Sequence, residues 1–303
     1  MKQRTILCCS VAFLTLFLGG CHRRTDPTPE PEATTLVAFT TSGDAPREVR
    51  TPLAYAYRTF SPMDEPGHPT INIEGVQQDS GMTTLFYLQN IRFEVGSDSL
   101  GGTSFSASIR VRVIRAATVM NYTCDSGSVT LTALSPRTVG TFEGHSTQQG
   151  FWVREGRIDV PYAGAPPPES ATQLAFTSTS AEVPVLSTPL AFAYLNFYDY
   201  DGSGPKVTVQ GVQQEDSSTT RFSVYNFPFR TGTDSLLSHW NTPNISMTQC
   251  TVTGGSDWFY GTSGTLEVTA LSPRARGSFA FTTAYATVTV TEGRFDVPYA
   301  GAP

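Results

Sequence analysis

The acidic run at residues 199–204 contains the opening residues of a calcium-binding loop. Asp199 and Asp201 lie two positions apart before a glycine, an arrangement in which oxygen ligands begin to wrap a hard cation. The twelfth position, where such a loop has a glutamate, is Gln210. A hairpin turn explains the same residues. Asp199 and Asp201 therefore remain calcium candidates, while the sequence as a whole predicts no bound metal and no cofactor.

Other residues have the types that catalysis uses but lack the spacing. Ser203 and Lys206 fit an S-x-x-K pattern, but the Gly-Pro pair between them breaks the helical turn that this serine chemistry needs. The four histidines lie far apart, without partners at metal-binding or general-base spacing. The sequence also lacks the G-x-S-x-G, H-E-x-x-H and phosphate-loop motifs. It therefore predicts a protein that is not an enzyme.

Aromatic side chains cluster in the C-terminal part of the chain. Rings follow one another beside acidic residues at 197–200 and at 258–260. Consecutive strand residues point to opposite faces, so at least one ring of each run must face outward. Exposed rings beside carboxylates suit a glycan, whose flat apolar faces stack while its hydroxyl groups donate hydrogen bonds. Packing in the core and between strands is the alternative explanation. The candidate ligand-binding residues are Tyr198, Tyr200, Trp240, Trp258 and Tyr260.

The N-terminal residues have the layout of an export signal. Lys2 and Arg4 precede an apolar run at residues 6–18, which is short for a membrane-spanning helix, and small residues follow. Residues 18–21, Leu-Gly-Gly-Cys, resemble the lipobox of bacterial lipoproteins, in which the cysteine thiol receives a lipid. An ordinary secretory signal with an unrelated cysteine is the alternative. We therefore predict cleavage before Cys21, lipidation of Cys21 and attachment to a membrane through this lipid.

Charge and cysteine content narrow the choice of partners. The formal net charge is -6, and the dense basic pair Arg23-Arg24 lies beside the predicted anchor. Nucleic-acid binding needs clustered positive charge, so no nucleic-acid partner is predicted. Cys124 and Cys250 remain after cleavage, at positions that do not match across the repeat described below. Both are predicted to be small buried apolar residues, and their redox state is left open.

The chain repeats itself at an offset of 136 or 137 residues. The clearest matches join residues 51–57 with 188–194, 75–78 with 211–214, 132–137 with 269–274, and 160–166 with 297–303. Each copy has the usual size of a domain, and the prolines between the copies limit their reorientation. The predicted division is a signal peptide at 1–20, a lipidated proline-rich tether at 21–34, a first β-domain at 35–166, a linker at 167–171 and a second β-domain at 172–303.

Alternation of apolar and polar residues dominates both copies. Val129 and Leu131 alternate with a serine and two threonines, and the same spacing recurs at residues 71–73, 109–113 and 207–209. A period of two predicts strands with one face buried and the other in water. Turn residues recur often enough for about seven to nine strands per copy. The predicted fold class is all-β, two tandem homologous antiparallel β-domains, each a barrel-like meander or a two-sheet sandwich.

Three segments in the last third of each copy follow one pattern. They are residues 264–269, 277–281 and 290–299 in the second copy, and 127–134, 140–142 and 155–162 in the first. These segments resemble an uncharacterised family of β-rich domains found in lipoproteins of Bacteroidota, whose members end in a G-x-I-T-I-T strand, a G-T-F strand and a T-x-G-x-F-x-V-x-Y strand. The resemblance implies an all-β fold and a cell-envelope location. It transfers no functional residue.

Together these features predict a lipid-anchored protein of the cell envelope. The leading interpretation is a non-catalytic structural or interaction module, with the membrane and another envelope protein as partners. The alternative is a glycan-binding surface lipoprotein that uses the aromatic clusters of the second copy. The residues after Cys21 lack the acidic run associated with surface export in Bacteroidota, which favours the periplasmic side of the outer membrane without deciding the face.

Overall fold

The structure of the chain is a computed structural model that describes residues 35–42, 47–60, 69–101, 106–116, 118–165, 173–179, 185–197, 204–237, 243–251, 256–283 and 288–301. Residues 34–303 form one compact unit. We refer to residues 35–165 as the first half and to residues 173–301 as the second half. The sites predicted from sequence that lie outside the described residues are Cys21, Tyr198, Asp199, Tyr200, Asp201 and Trp240, together with the signal peptide, the tether and the linker.

The fold is all-β, as predicted, and the named strands pair in antiparallel fashion throughout. The strands of the first half are β1 (Leu36–Ser42), β2 (Arg47–Thr51), β3 (Leu53–Thr59), β4 (Thr70–Asp79), β5 (Met82–Arg92), β6 (Gly96–Ser99), β7 (Ser108–Arg115), β8 (Thr118–Cys124), β9 (Ser126–Ala133), β10 (Arg137–Ser146) and β11 (Phe151–Pro161). Those of the second half are β12 (Gln173–Ser178), β13 (Val185–Thr188), β14 (Ala191–Asn196), β15 (Lys206–Gln214), β16 (Ser218–Pro228), β17 (Gly232–Leu237), β18 (Asn244–Thr251), β19 (Ser256–Ala270), β20 (Arg274–Thr283) and β21 (Thr289–Pro298).

The described strands number eleven in the first half and ten in the second, more than the seven to nine predicted. The excess comes from short strands at or near the sheet edges, such as β2, β6 and β13, which are too short to show a clear alternation.

No helix of the described residues is long and apolar enough to cross a membrane.

The first half consists of two sheets. One has the strand order β2-β1-β11-β10-β9-β6, and the other has the order β3-β4-β5-β7-β8. The chain passes from one sheet to the other at Asp125, between β8 and β9. The Asp125 carboxylate accepts hydrogen bonds from the Thr147 hydroxyl at 2.7 Å and the Thr147 backbone N–H at 3.2 Å. These hydrogen bonds lower the pKa of Asp125 and fix the bend.

The second half repeats this arrangement with one difference. Strand β19 continues where the first half bends, so that its beginning pairs with β18 and its remainder with β20 and β17. The two layers thereby join into one ten-stranded, barrel-like sheet. The strand that crosses between layers is therefore continuous in one half and broken in the other.

Each half has its own apolar core with the same arrangement of rings. Phe39 lies 5.1 Å from Phe86 and 5.8 Å from Phe142, measured between ring centroids. At the matching positions of the second half, Phe176 lies 4.9 Å from Phe222, and Phe279 completes the cluster at 6.2 Å from Phe176. Burial of such rings is a major source of stability in a β-fold. The repeat in the sequence is thus matched by a repeat in the packing.

Two strands depart from the expected alternation of buried and exposed residues. In β4 the first seven residues are buried on both faces, and β15 behaves in the same way. The prediction of one wet face was therefore wrong for these strands. The physical reason is that the outer face of each five-stranded layer packs against the other half. The cluster formed there contains Tyr55, Tyr57, Val76, Leu85, Ile114, Phe192, Tyr194 and Val212.

Candidate functional site

The end of β4 carries a glutamine that binds the second half. Gln78 donates a hydrogen bond from Nε2 to the Tyr299 hydroxyl at 2.9 Å. Its Oε1 accepts one from the Leu195 backbone N–H at 2.8 Å. The Thr83 hydroxyl on the neighbouring strand donates to the Leu195 carbonyl oxygen. Both backbone groups of Leu195 are therefore satisfied by side chains of the first half.

The end of β15 makes the same contacts in the opposite direction. Gln214 donates from Nε2 to the Tyr162 hydroxyl at 2.6 Å, and its Oε1 accepts from the Arg58 backbone N–H at 2.6 Å. The Thr219 hydroxyl donates to the Arg58 carbonyl oxygen at 2.5 Å. The positions correspond at the offset of the sequence repeat. The halves thus meet through a self-complementary surface, related by a local twofold axis, like the subunits of an isologous dimer.

A carboxylate from the first half lies buried at this interface. Glu74 is 1% exposed, and its Oε1 forms an ion pair with the Arg221 guanidinium at 2.6 Å. The Tyr57 hydroxyl donates to the same oxygen at 2.6 Å, while Gln210 donates to Oε2 at 3.1 Å. The Tyr55 hydroxyl lies 3.5 Å from Oε2. A buried carboxylate requires such partners, because an unpaired one would be costly to remove from water.

The electrostatics of the cluster agree with its geometry. Burial, reinforced by the negative charge of Glu74, raises the pKa of Tyr55 well above its ordinary value. Burial also raises the pKa of Tyr57. For Arg221 burial alone would lower the pKa, but the Glu74 carboxylate together with the neighbouring tyrosines raises it above its ordinary value. We conclude that this cluster joins the two halves.

Trp258 and Tyr260 lie side by side on the outer face of β19. Their side chains are 61% and 47% exposed, with ring centroids 6.5 Å apart and planes inclined by 16°. The intervening Phe259 is partly buried and packs against the core. The residues paired with the two rings on β18 are Thr248 and Ser246, which share their face. We call Trp258, Tyr260, Thr248 and Ser246 the aromatic platform.

The corresponding face of the first half has different chemistry. Asn121 and Thr123 occupy the positions of the two rings, and their partners on β7 are Arg112 and Arg110. All four of these residues are exposed. The platform is therefore a property of the second half and not of the repeated fold.

A groove of about 870 Å³ lies on the outer face of the first half. It runs over the layer that contains β1, β2, β10 and β11. A second concavity of about 470 Å³ shares two of its residues and extends it. The charged side chains of the larger part are Glu48, Arg50, Glu143, Glu155 and Arg157. We call both concavities together the charged groove.

The extension of the groove contains a stacked set of side chains. The ring of Trp152 lies 3.7 Å from that of His145, centroid to centroid, with planes inclined by 20°. The Arg154 guanidinium carbon lies 4.8 Å from the centroid of the same indole. Because Trp152 already contacts two side chains and is 38% exposed, it offers less open ring surface than Trp258.

The remaining candidates from the sequence concern metals and thiols. Among the described residues, no group of three or more His, Cys, Asp or Glu side chains is arranged to hold a metal ion. Cys124 is fully buried, as predicted, and its thiol is free. Burial, with a contribution from Asp125, raises the pKa of its thiol to about 12. The side chain of Cys250 lies outside the described part of the chain.

Sequence reasoning missed the interface and the charged groove. Gln78 and Gln214 were visible as an unchanged feature of the repeat, and this retention of a polar pair was the available signal. Glu74 had no such signal, because its match is Gln210 and its alternation with apolar residues indicated an exposed position. The groove joins residues from strands distant in sequence, so spacing alone could not reveal it.

Comparison of the chain with protein-family models, with curated protein sequences and with solved structures finds no match. The resemblance to the lipoprotein domain family therefore stays a prediction, and the function is inferred from the sites themselves.

Proposed function

We propose that this protein is a non-catalytic binding protein of the cell envelope, anchored through lipid on Cys21, and that its second half binds a glycan on the aromatic platform. The observation that carries the proposal is the pair of exposed, nearly parallel rings of Trp258 and Tyr260. Large apolar side chains exposed together commonly mark a binding site.

The chemistry of the platform suits a sugar chain. The C–H face of a sugar ring is apolar and weakly positive, so it stacks on the electron-rich face of an aromatic ring. The hydroxyl groups of Thr248 and Ser246 lie on the same face and can exchange hydrogen bonds with sugar hydroxyls. The spacing of the two rings along one strand suits successive units of an extended chain better than an isolated monosaccharide.

The test is a calorimetric titration of the soluble chain, lacking residues 1–21, with a panel of oligosaccharides. We expect a saturable response that weakens about tenfold for each ring removed, because a stacked ring contributes about 1.4 kcal/mol. The matched variants are Trp258→Asn and Tyr260→Thr, which introduce the residue types found at positions 121 and 123 of the first half. Unchanged affinity in the double variant, or no response to any glycan, refutes the proposal.

A second candidate is a rigid spacer between the membrane and another envelope protein. The reciprocal hydrogen bonds between the halves favour this spacer role, as does the packing of residues 34–303 into one compact unit. Crosslinking of the anchored protein in intact cells distinguishes the candidates. Glycan binding predicts that the double platform variant loses its crosslinked products, whereas a spacer role predicts the same protein partner with and without the platform.

A further inference from the structure

The charged groove is built on backbone that both halves share. In the first half the pairing of β1 with β11 shifts register between Ala38 and Thr40. In the second half the pairing of β12 with β21 shifts register at the matching residues, between Ala175 and Thr177. A second shift occurs at matching places where β10 pairs with β11 and β20 with β21. Such bulges bend a sheet and re-aim its side chains. The curvature of this face therefore belongs to the fold and needs no ligand to explain it.

The side chains in the groove, by contrast, are shared only in part: Glu155 and Arg157 recur as Glu292 and Arg294, whereas other charged and aromatic residues of the groove do not recur. In the larger part of the groove three changes across the repeat remove charge, because Glu48, Arg50 and Glu143 are matched by uncharged residues. The aromatic wall disappears as well, since Trp152 and His145 are both matched by threonine. The residues found at these positions in the second half are Val185, Ser187, Ala280, Thr289 and Thr282.

Charges of both signs remain available to a ligand in the groove. Within the described part of the chain, the ion pair among groove residues joins Glu48 and Arg50 at 2.6 Å. Glu143, Glu155 and Arg157 are exposed and form none of the ion pairs found among the described residues. Two carboxylates and a guanidinium thus line one concave surface without neutralising one another through such pairs.

We propose that the charged groove is a second binding site, separate from the aromatic platform, and that it takes a short peptide segment carrying both an ammonium group and a carboxylate. Glu143 and Glu155 face the ammonium group, and Arg157 pairs with the carboxylate. The volume of the larger part suits a ligand of a few residues. The proposal does not depend on glycan binding by the second half.

Other ligand classes fit the groove less well. A polyanion would meet the carboxylates of Glu48, Glu143 and Glu155. A glycan would lack an open aromatic face, because Trp152 already stacks on His145 and contacts Arg154. A ligand with both charges is the one whose groups are complementary to the charged side chains of the groove.

The test is a calorimetric titration of the soluble chain, lacking residues 1–21, with three capped pentapeptides. The first is acetyl-Gly-Lys-Gly-Glu-Gly-amide, and in the others glutamine replaces either the lysine or the glutamate. We expect the peptide with both charges to bind about fivefold more tightly than either of the others, since each exposed charge pair contributes up to about 1 kcal/mol. Raising the salt concentration should reduce the difference.

Matched variants assign the binding to the groove. Glu143→Ala and Arg154→Thr introduce the residue types of positions 280 and 291, which the same backbone already accommodates. We expect Glu143→Ala to weaken binding of the doubly charged peptide about fivefold and to leave the thermal unfolding temperature unchanged. Arg154→Thr should weaken it less, because Arg154 lies in the extension. The platform variant Trp258→Asn/Tyr260→Thr should bind the peptide like the unaltered chain.

Three results would overturn the proposal. They are equal affinity for all three peptides, undiminished binding by folded Glu143→Ala, and a Glu143-dependent response to neutral oligosaccharides in place of the peptide. The first two results would show that the charges of the groove do not bind the peptide. The third would show that the ligand of the groove is a glycan. Failure of the platform variant to affect glycan binding bears on the proposed function and leaves this inference intact.

Discussion

The outer surfaces of the two halves differ far more than their cores. Inside, Phe39, Phe86 and Phe142 have phenylalanine matches with similar ring distances. Outside, one half has the charged groove and the other the aromatic platform, and the two rings of the platform and three of the charges in the larger part of the groove have different counterparts across the repeat. The comparison teaches that the fold fixes the inward positions, while outward positions are free to acquire separate binding chemistry.

The interface between the halves combines both kinds of behaviour. The reciprocal bonds of Gln78 and Gln214 are alike, whereas the Glu74 cluster is one-sided, since the matches of Glu74 and Arg221 are Gln210 and Leu85. In this cluster the first half contributes the acid, Glu74, and the second half contributes the base, Arg221. Variants that exchange residues between the halves can therefore separate the shared contribution from the one-sided one.

The largest expected effect comes from Arg221→Leu, which places at 221 the residue type found at position 85. The change leaves the buried Glu74 carboxylate without its cation. Loss of one partner of a buried ion pair costs about 3 kcal/mol, and the 39% exposure of the Arg221 side chain places the expected loss at the lower end of the usual range. Urea denaturation at neutral pH measures it.

The control for this variant is Glu74→Gln/Arg221→Leu, which makes the two sides of the interface alike at these positions. Because no charge is then buried, we expect most of the lost stability to return. If the single and double variants prove equally unstable, the carboxylate does not depend on Arg221 and the one-sided interpretation fails.

An intermediate effect is expected from Gln78→Ala and Gln214→Ala. Each removes two hydrogen bonds between the halves, for a loss of about 1 to 2 kcal/mol, and the losses should be equal because the contacts are reciprocal. Amide hydrogen exchange should accelerate at the Leu195 N–H in the first variant and at the Arg58 N–H in the second.

Gln213→Ala is the matched control for these two variants. Its Oε1 accepts a hydrogen bond from the Ser187 N–H within the same half, so exchange at Leu195 and Arg58 should stay slow. A clearly unequal response of the two interface variants would show that the hydrogen bonds do not contribute symmetrically.

The smallest effect at neutral pH is expected from Tyr55→Phe, which introduces the residue type of position 192. The hydroxyl lies 3.5 Å from Glu74 and 3.4 Å from the Gln210 amide nitrogen, so little stability is lost with it. Burial raises the pKa of Tyr55 in the folded state. Its contribution is therefore complete below about pH 10, where the unfolded residue titrates, and declines as the pH rises further.

We accordingly expect Tyr55→Phe to reduce the alkaline loss of stability, measured as the change in unfolding free energy between neutral pH and pH values above about 10. Tyr194→Phe provides a comparison at the interface, because burial raises the pKa of Tyr194 to about 12. An unchanged alkaline slope in Tyr55→Phe would mean that this hydroxyl titrates equally in both states.

Much of the fold follows from the sequence. Ile109, Val111 and Val113 are buried between the exposed Arg110 and Arg112, as a period of two requires. The expectation that a ring in the run at 258–260 faces outward is confirmed by Trp258 and Tyr260. In these strands one face packs on the core and the other is exposed. The alternation of residues along the strand is therefore sufficient to predict which side chains are buried.

The rest depended on contacts that alternation does not encode. The residues Asn72 and Glu74 of β4 alternate with isoleucines, yet they are buried because a second layer covers them. The pattern of one strand cannot tell water from a partner surface that accepts polar groups. The charged groove could not be predicted from the pattern of one strand either. Glu48, Glu143 and Glu155 come together only because β2 pairs with β1, β1 with β11, and β11 with β10.

The local twofold axis has a consequence for how such an interface can change over generations. When two identical chains meet on a twofold axis, every substitution appears on both sides, so an acid introduced near the axis faces a second acid. Here both sides are encoded separately in one chain: Glu74 meets Gln210, the residue that matches it in the repeat, and the residue that matches Arg221 is Leu85. Because each face can change alone, the ion pair of Glu74 with Arg221 occurs once in this chain, whereas in a homodimer of identical repeats the same pair would occur twice.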